Sequence, residues 1–343
     1  MKSSIVKNWD SYLLSFPDQS VDVYFGEKYI KLYETENNQA VCFIYEEDEK
    51  LLLFPFLKRN FEYDGQSYSD FETAYGYGGP IYNTIDEKFI FRSLDCFKEY
   101  CIQNNFVAGF VRFHPLLNNF KGFTTIGELM LDRHTIAMDL TLSEDDIWMK
   151  EIHTQNRNTI KKAKKIGLEF IIDKEYKHLM DFISLYNSTM TKVESDSFFY
   201  FHDNYYKAFK EEFKNSFLGL VSFDSKIISG AIFFYSKNFG HYHLSGSDVN
   251  YLYTCPNNFL IYEGSKALKE LGVEKFHLGG GLNSNEKNSL YQFKSRFSKS
   301  KYDFFIGKAI FNQTIYDKLN NEWIVKNPKK DVQFKNYLLK YKY

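Results

Sequence analysis

The stretch HLGGGLNSNEKNSLYQFKSRF, from His277 to Phe297, is the least ordinary part of this sequence. An apolar strand leads into three consecutive glycines and a polar loop, and a short helical pattern with Leu290, Phe293 and Phe297 on one side comes next. Glycines at the end of a strand allow left-handed backbone angles and the close approach of another molecule. Lys294 directly follows Phe293, so the pattern favours a cation framed by aromatic rings beside a glycine turn. The alternative is a glycine-rich loop followed by an amphipathic surface helix.

The composition indicates a soluble globular protein. The chain has 343 residues, of which 44% are hydrophobic and 19% aromatic, and its 43 basic residues nearly balance 44 acidic ones. This length predicts two domains, and the charge balance argues against a general nucleic-acid coating protein while leaving room for a local basic patch. No run approaches the ~20 apolar residues of a membrane span, and the first residues lack the continuous apolar core of a signal peptide. A cytoplasmic location without a transmembrane segment is therefore expected.

Neither a metal site nor a nucleotide loop is predicted. His241 and His243 share one strand face with Asp248 nearby, but no third ligand has convincing spacing, so core or substrate-facing histidines are favoured. GYGGP at 76–80 continues into a proline instead of a helix, and LGGGLNSNEKNS lacks Gly-Lys-Ser/Thr, so neither fits a phosphate-binding loop. The cysteines also lack metal-type spacing and are expected as free thiols in a reducing compartment; they are Cys42, Cys96, Cys101 and Cys255.

The predicted elements repeat in order along the two halves of the chain. Each half runs helix, hairpin, strand with a glycine break, helix, and a strand that ends on a special turn. GYGGP corresponds to LSGSD at 244–248, and RFHP at 112–115 corresponds to HLGGG at 277–281. This pattern predicts an α/β (α+β) fold of two similar tandem units, each a mixed, mostly antiparallel sheet flanked by helices. The expected divisions are 1–142, 143–325 and a basic tail at 326–343.

The patterns of three further segments also predict structure. The first half is predicted to contain a hairpin at 40–45 and 50–58, then a polar loop, and then an aromatic strand with glycine breaks at 74–83. A single long helix is predicted over 143–165, capped by Ser143 and ended by Gly167. Its lysine-rich second half is either a solvated face or a site for a phosphate-bearing substrate or RNA. The basic tail is either a docked helix, which is favoured, or a polyanion contact.

Glycine-broken central strands suit acyl transfer. Splayed strands expose backbone N–H and C=O groups that can hold an acyl donor and stabilise the oxyanion of a tetrahedral intermediate. The nucleophile would be an amine, whose proton could pass to His243, Asp248 or a substrate carboxylate, and the sequence leaves these open. Covalent serine or cysteine catalysis has no support, because no Gly-x-Ser-x-Gly elbow or activated-cysteine signature occurs.

Several motifs resemble the Fem family, the aminoacyl-tRNA-dependent transferases that build peptidoglycan interpeptide bridges, and its GNAT-like relatives. They are AYGYGGP (74–80), the helix motif Asn156-Arg157-x-x-Ile160-x-x-Ala163-x-x-x-Gly167, YHLSGSD (242–248), FHLGGG (276–281) and SLYQFKSRF (289–297). The resemblance spans roughly residues 20–320. It implies two GNAT-like domains and attack by the amine of a precursor on an activated acyl ester or thioester.

The resemblance also implies roles for residues. The pair Phe293–Lys294 would lie at the donor end, where the lysine stabilises developing negative charge, and Tyr77, Arg112 and Tyr242 would hold the nucleotide-sugar part of the acceptor. The remaining substrate-binding candidates come from the same motifs and the polar loop after them: Gly78, Arg157, Ser245, Gly279, Gly280 and Asn283. His243 and Asp248 complete the catalytic candidates with Lys294.

The expected protein is a Fem-like N-acyltransferase that acts on an amine of an amino-sugar nucleotide or a muropeptide. Its donor would be acyl-CoA or aminoacyl-tRNA, so tRNA is a potential partner, whereas DNA and a permanently bound cofactor are not expected. The segment TMTKVESDSFFYF, which comes after the helix predicted to end near Met190, lacks the arginines that Fem proteins tend to carry there, and the pyrophosphate loop of ordinary GNAT enzymes is missing. Donor and acceptor therefore stay open. A non-catalytic tandem module that binds a nucleotide sugar or RNA is the alternative.

Overall fold

The computed structural model describes residues 2–194 and 200–343, and these form two compact units. Unit 1 comprises Met1–Asp132 together with Asp303–Tyr343, and unit 2 comprises Arg133–Tyr302. The predicted divisions after 142 and 325 differ from these bounds. The part of TMTKVESDSFFYF at 195–199 lies outside the described residues.

Strands and helices occur throughout the described part of the chain. The strands are β1 (Lys2–Val6), β2 (Asn38–Glu47), β3 (Lys50–Tyr63), β4 (Gln66–Glu72), β5 (Ile81–Tyr82), β6 (Phe106–Arg112), β7 (Glu128–Asp139), β8 (Glu169–Asp173), β9 (Ser216–Phe223), β10 (Lys226–Tyr235), β11 (Phe239–Ser247), β12 (Lys275–Gly280) and β13 (Lys301–Ile310). The helices are α1 (Asp10–Leu13), α2 (Glu27–Lys31), α3 (Glu87–Gln103), α4 (Glu144–Asp146), α5 (Thr154–Lys165), α6 (Leu179–Lys192), α7 (Asp203–Glu211), α8 (Pro256–Glu270), α9 (Ser289–Ser295), α10 (Gln313–Lys326) and α11 (Asp331–Phe334). None of the described helices is both long and apolar enough to cross a membrane.

Unit 1 is built on a mixed sheet in the order β1-β2-β3-β4-β6-β13. The pair β4–β6 is parallel and is connected through α3, whereas the other neighbours are antiparallel. Asp86 caps α3 by accepting hydrogen bonds from the backbone N–H groups of Lys88 and Phe89, and the apolar side of the helix buries Leu94 and Phe97 against the sheet. A strand–helix–strand unit is present in the first half, but its first strand is β4, whereas the strand predicted over 74–83 was wrong except for the two residues of β5.

The basic tail is docked on unit 1. Leu338 and Leu339 are buried in a cluster with Tyr68 of β4 and Ala108 of β6. The phenol of Tyr316 donates a hydrogen bond to the carbonyl oxygen of Leu338 at 3.0 Å. Since β13 pairs with β6 over Ile306–Ile310, residues 303–343 belong to unit 1, which is why the predicted boundary at 325 differs from the observed one.

Unit 2 repeats this arrangement with the order β7-β12-β11-β10-β9-β8. The parallel pair β11–β12 is connected through α8, and the other neighbours are antiparallel. Its core packs α5 and α8 on one face of the sheet, around Ile160, Phe233, Phe259 and Phe276. The predicted fold of two tandem α/β units with mostly antiparallel sheets is confirmed.

Two other sequence predictions within the units were wrong. The polar loop expected after residue 58 is instead the second half of β3 and the whole of β4, which form a hairpin around Asp64-Gly65 with φ of 51° and 73°. The polar residues are accommodated because Arg59 and the buried Asp70 pair across the hairpin. The single helix expected over 143–165 is interrupted, because α4 passes into a π-helical turn and Ile152 is extended before α5 begins.

Candidate active site

The two central strands of unit 2 part from each other. β11 and β12 pair in parallel over three residue pairs, of which the last joins His241 to His277, although β11 continues to Ser247 and β12 to Gly280. Both strands are irregular at this point. The register of β11 against β10 shifts so that His243 is the extra residue, and the register of β12 against β7 shifts between His277 and Gly279. Parted strands with bulges present backbone N–H and C=O groups to a ligand between them.

Lys294 lies at the end of the parted strand β12. It is carried by α9, and its ammonium group donates a hydrogen bond to the carbonyl oxygen of Gly280 at 2.9 Å. Burial lowers the pKa of Lys294 to about 8, and the nearby guanidinium of Arg133 contributes in the same direction. An ammonium group has three N–H donors, and the bond to Gly280 uses one of them. The lysine therefore combines a fixed position with remaining hydrogen-bonding capacity.

Arg133 holds the backbone that comes after Gly280. One nitrogen of its guanidinium, Nη1, donates to the carbonyl oxygens of Gly281 and Leu282 at 2.9 and 2.8 Å. Three successive carbonyl oxygens are thus bound by two cations. The backbones of β12 and β7 approach closely at Gly280, and only a glycine fits there. A Cβ atom at this position would lie 2.8 Å from the carbonyl oxygen of His134.

The polar loop between β12 and α9 is organised by side-chain caps. Asn288 caps α9 by accepting a hydrogen bond from the N–H of Tyr291 at 2.9 Å, and Asn283 accepts one from the N–H of Asn285 at 3.0 Å. A Cβ atom on Gly281 would lie 2.2 Å from the amide nitrogen of Asn288. The third glycine of the run therefore lets the cap of the lysine-bearing helix sit against the end of β12.

Phe293 and Tyr242 lie on the face of the sheet that carries the core of unit 2. Both are partly buried against that core, and the ring of Tyr242 lies 5.9 Å from the ring of Phe233. Burial raises the pKa of Tyr242 to about 12, although a hydrogen bond with Ser245 acts in the opposite direction. Tyr242 is therefore a neutral phenol, and Ser245 is its neighbour.

His243 lies on the opposite face of the sheet. Its Nε2 atom is 2.7 Å from the phenol oxygen of Tyr205 on α7, and its ring lies 4.4 Å from that of Phe234. Burial lowers the pKa of His243 to about 3, with a further contribution from His241. The imidazole is therefore neutral near pH 7, as a general base must be before it accepts a proton. Its low proton affinity makes it a weak base.

Asp248 has structural contacts. Its carboxylate pairs with Lys226 at 2.8 Å and caps the 3-10 helix Val249–Thr254 by accepting from the N–H of Asn250 at 3.0 Å. The hydrogen bond from Lys226 lowers the pKa of Asp248 from its usual value. A carboxylate with a lowered pKa holds a proton poorly, so these contacts favour a capping role over that of general base.

Arg157 is also committed to the backbone. Its Nη1 atom donates to the carbonyl oxygens of Trp148, Met149 and Ile152, at 3.2, 3.1 and 2.6 Å, where the interrupted helix ends. The preceding residue, Asn156, is buried and hydrogen-bonded to Asn258 of α8. The Asn-Arg motif therefore fixes α5 against its neighbours, and these contacts favour a structural role for Arg157 over substrate binding.

Three candidates lie in unit 1, at the end of its parallel strand pair. The ring of Tyr77 lies 5.3 Å from that of Tyr24 and 5.8 Å from that of His114. Gly78 accepts a hydrogen bond from the buried amide of Asn119 at 2.7 Å, and Arg112 donates to the carbonyl oxygen of Thr73 at 3.0 Å. The two special turns of the first half, GYGGP and RFHP, thus meet within unit 1, where Asn119 also accepts from the N–H of His114.

The sequence prediction missed Arg133, Asn288 and Tyr205. Asn288 had a local signal, since an asparagine before a helical pattern is a common cap. Arg133 lies 148 residues from Gly281 in sequence, and Tyr205 lies 38 residues from His243, so no spacing pattern reveals either contact. Both contacts arise from the tertiary fold, which brings together residues that are distant in sequence.

A family model connects this geometry with known proteins. Residues 151–295 match the model described as an acetyltransferase (GNAT) domain, and these residues contain β11, β12 and α9 with Lys294. The protein is an acyltransferase that contains a GNAT domain at residues 151–295. No curated protein sequence matches this chain.

Solved structures of other proteins share the fold over most of this chain. FemX has a TM-score of 0.67 at 16% identity, covering 92% of this chain and 99% of that one. The C-terminal domain of a putative lysylphosphatidylglycerol synthetase from Agrobacterium fabrum has a TM-score of 0.56 at 13% identity, covering 88% and 90%. A tandem GNAT protein from the clavulanic acid biosynthesis pathway has a TM-score of 0.50 at 8% identity, covering 91% and 99%. The resemblance to Fem-like GNAT proteins is confirmed at the level of the fold.

Proposed function

We propose that the protein transfers an acyl or aminoacyl group to an amine of a cell-envelope precursor, either an amino-sugar nucleotide or a muropeptide. The observation that carries this proposal is the parting of β11 and β12 beyond His241 and His277, with the ammonium group of Lys294 at the end of β12. The motifs that resemble the Fem family support a precursor of the cell envelope as the acceptor, and the fold shared with FemX agrees with that resemblance.

In the proposed reaction the amine attacks the carbonyl carbon of an acyl ester or thioester held between the parted strands. A C–N bond forms and the carbonyl oxygen takes up negative charge, which the ammonium group of Lys294 and backbone N–H groups stabilise. The amine loses its proton, the C–O or C–S bond to the carrier breaks, and the carrier leaves with a proton. The role of Lys294 in this scheme is to stabilise the negative charge, because its remaining N–H donors can bind the oxyanion.

Two assignments of the base fit this scheme. The imidazole of His243 is hydrogen-bonded to Tyr205 and is neutral, which is the form that accepts a proton. Its low pKa, however, makes proton transfer from the amine to His243 unfavourable. A carboxylate of the substrate is the second candidate. Tyr77 and Arg112 of unit 1, together with Tyr242, Ser245, Gly279 and Asn283 of unit 2, remain predicted contacts of acceptor and donor.

The experiment that tests this proposal has to distinguish the two classes of donor. Acyl-CoA and aminoacyl-tRNA carry the same kind of activated carbonyl, as a thioester and an ester. Calorimetry with acyl-CoA and with UDP-amino sugars, and a filter assay with charged tRNA, measure binding of each class. Product formation is then followed by mass spectrometry with each pair of donor and acceptor. Binding of both substrates without product under any donor would contradict the proposal and favour a binding module.

A further inference from the structure

Lys342 in the basic tail and Arg112 at the end of β6 share one carboxylate. The ammonium of Lys342 contacts Oε1 of Glu72, and Nη1 of Arg112 lies 3.7 Å from Oε2 of the same side chain. Burial alone would raise the pKa of Glu72, but Lys342 and Arg112 outweigh it and hold the pKa below its usual range. The carboxylate is therefore ionised, and two cations face its two oxygens.

A second pair of opposite charges lies beside this group. Arg59 pairs with the buried Asp70, and Glu72 is the carboxylate that Lys342 and Arg112 share. Two cations that share one carboxylate repel each other, and the repulsion is stronger in a partly buried setting than in water. A bound anion would relieve it.

Both cations retain hydrogen-bond donors. In the described part of the chain, the guanidinium of Arg112 bonds through Nη1 alone, to Thr73 and Glu72, which leaves the N–H groups of Nε and Nη2. Lys342 uses one of its three N–H groups for Glu72. The guanidinium of Arg112 also lies 4.8 Å above the ring of Phe110, which fixes its plane. The side chains are 28% and 22% exposed, so a small ligand can reach them.

We propose that Arg112 and Lys342, held together by Glu72, form a binding site for a phosphate or carboxylate group on unit 1. Arg112 is already a predicted acceptor contact, and the new element is that the tail supplies the second cation. The ordinary alternative is that Lys342 only fastens the tail to the sheet. The two interpretations differ in what the loss of Lys342 does to anion binding.

Calorimetry with inorganic phosphate, pyrophosphate and acetate, at matched ionic strength in chloride, tests the site without any acyl donor. The unmodified protein is expected to bind at least one of these anions. Lys342→Met and Arg112→Met should each weaken that binding about tenfold, because a charge-assisted hydrogen bond is lost. Lys342→Arg should retain it, and Glu72→Gln should strengthen it by removing the competing carboxylate. Acetate binding as tight as phosphate binding would identify a carboxylate site.

Lys340→Met is the matched control for loosening of the tail. Lys340 pairs with Asp331 at 2.9 Å and lies 5.6 Å from the ring centre of Trp323, so its loss disturbs the tail without touching Glu72. Melting temperatures of both variants measure that disturbance. Equal anion affinity in Lys342→Met and Lys340→Met, or no anion binding by the unmodified protein, overturns the proposal. Neither result bears on acyl transfer, which is measured separately.

Discussion

Lys294 and Arg133 bind three successive carbonyl oxygens, those of Gly280, Gly281 and Leu282. The lysine comes from α9 and the arginine from β7, so two elements converge on the loop that leaves the parted strand. Their positive charges also act on each other, and this contributes to the lowered pKa of Lys294. The arginine thus affects both the position of the loop and the charge of the lysine.

Replacement of Lys294 by alanine should leave the fold intact and remove most turnover. The loss is expected to be about 10²- to 10³-fold in kcat, as for removal of one donor to a developing oxyanion. Steady-state kinetics with a matched donor and acceptor measure it, and circular dichroism confirms the fold. Lys287→Ala is the matched control, since Lys287 is an exposed lysine of the same loop. Near-normal turnover of Lys294→Ala would rule out the proposed role.

The pH dependence of kcat should reveal the titration of Lys294. Its pKa of about 8 means that the ammonium form, which the mechanism needs, is lost as pH rises through 8, so the rate should fall there. Arg133→Met removes one of the two causes of the lowered pKa and should move this alkaline limb to higher pH. Rate profiles from about pH 6 to pH 10 bracket that titration and test both expectations. An alkaline limb at the same pH in both proteins would contradict the coupling.

Gly281→Ala should impair activity by displacing the cap of α9. The new Cβ would lie 2.2 Å from Nδ2 and 2.6 Å from Oδ1 of Asn288, so the cap has to move. Loss of a cap costs about 1 kcal/mol in the free energy of unfolding, and Asn288→Ala should show a similar loss. Turnover should fall in both variants because α9 carries Lys294.

The matched control for this cap is Asn312→Ala. Asn312 caps α10 in unit 1 by accepting from the N–H of Ile315 at 3.1 Å. Chemical denaturation should show a comparable destabilisation, whereas kcat should remain close to that of the unmodified protein. If all three substitutions reduce kcat alike, the effect of the α9 cap is one of general stability.

His243 should stay neutral between about pH 5 and pH 8, and its imidazole NMR signals should not titrate in that range. Since its pKa in the folded protein is about 3, the unfolded state binds the proton first as pH falls below about 6.5. Folding stability associated with His243 is therefore lost between pH 6.5 and 3, and His243→Gln should reduce this acid sensitivity. A signal of His243 that titrates near its ordinary pKa would show that burial does not control it.

The segment proposed as the donor side was predictable because its signals are local. The glycine run, the polar loop and the Phe293–Lys294 pair lie within one short stretch, and the strand–helix–strand order predicted just before it is present as β11, α8 and β12. The hairpin at Asp64-Gly65 also has a local signal, because this dipeptide is typical of two-residue turns, so its two strands were predictable as well.

Other parts of the site could not be predicted from the sequence, because they depend on contacts between distant residues. The lysine-rich helix resembles a single helix by its periodicity, yet Ile152 breaks it and Arg157 binds the carbonyl oxygens left at the break. Gly246 belongs to a glycine-broken strand that was expected to meet substrate. A Cβ atom there would lie 2.4 Å from the backbone nitrogen of Tyr186, so this glycine permits close packing of α6. Composition and spacing carry no information on such pairs.

The return of residues 303–343 to unit 1 has a consequence for biosynthesis. β6 obtains its second neighbour, β13, only after the whole of Arg133–Tyr302 has been translated. In contrast, every described strand of the unit 2 sheet lies within one continuous segment. The sheet of unit 2 can therefore form during translation while the edge of β6 that later pairs with β13 is still unpaired. Because exposed strand edges pair with other chains, the nascent protein should be most prone to aggregate before Ile310 emerges.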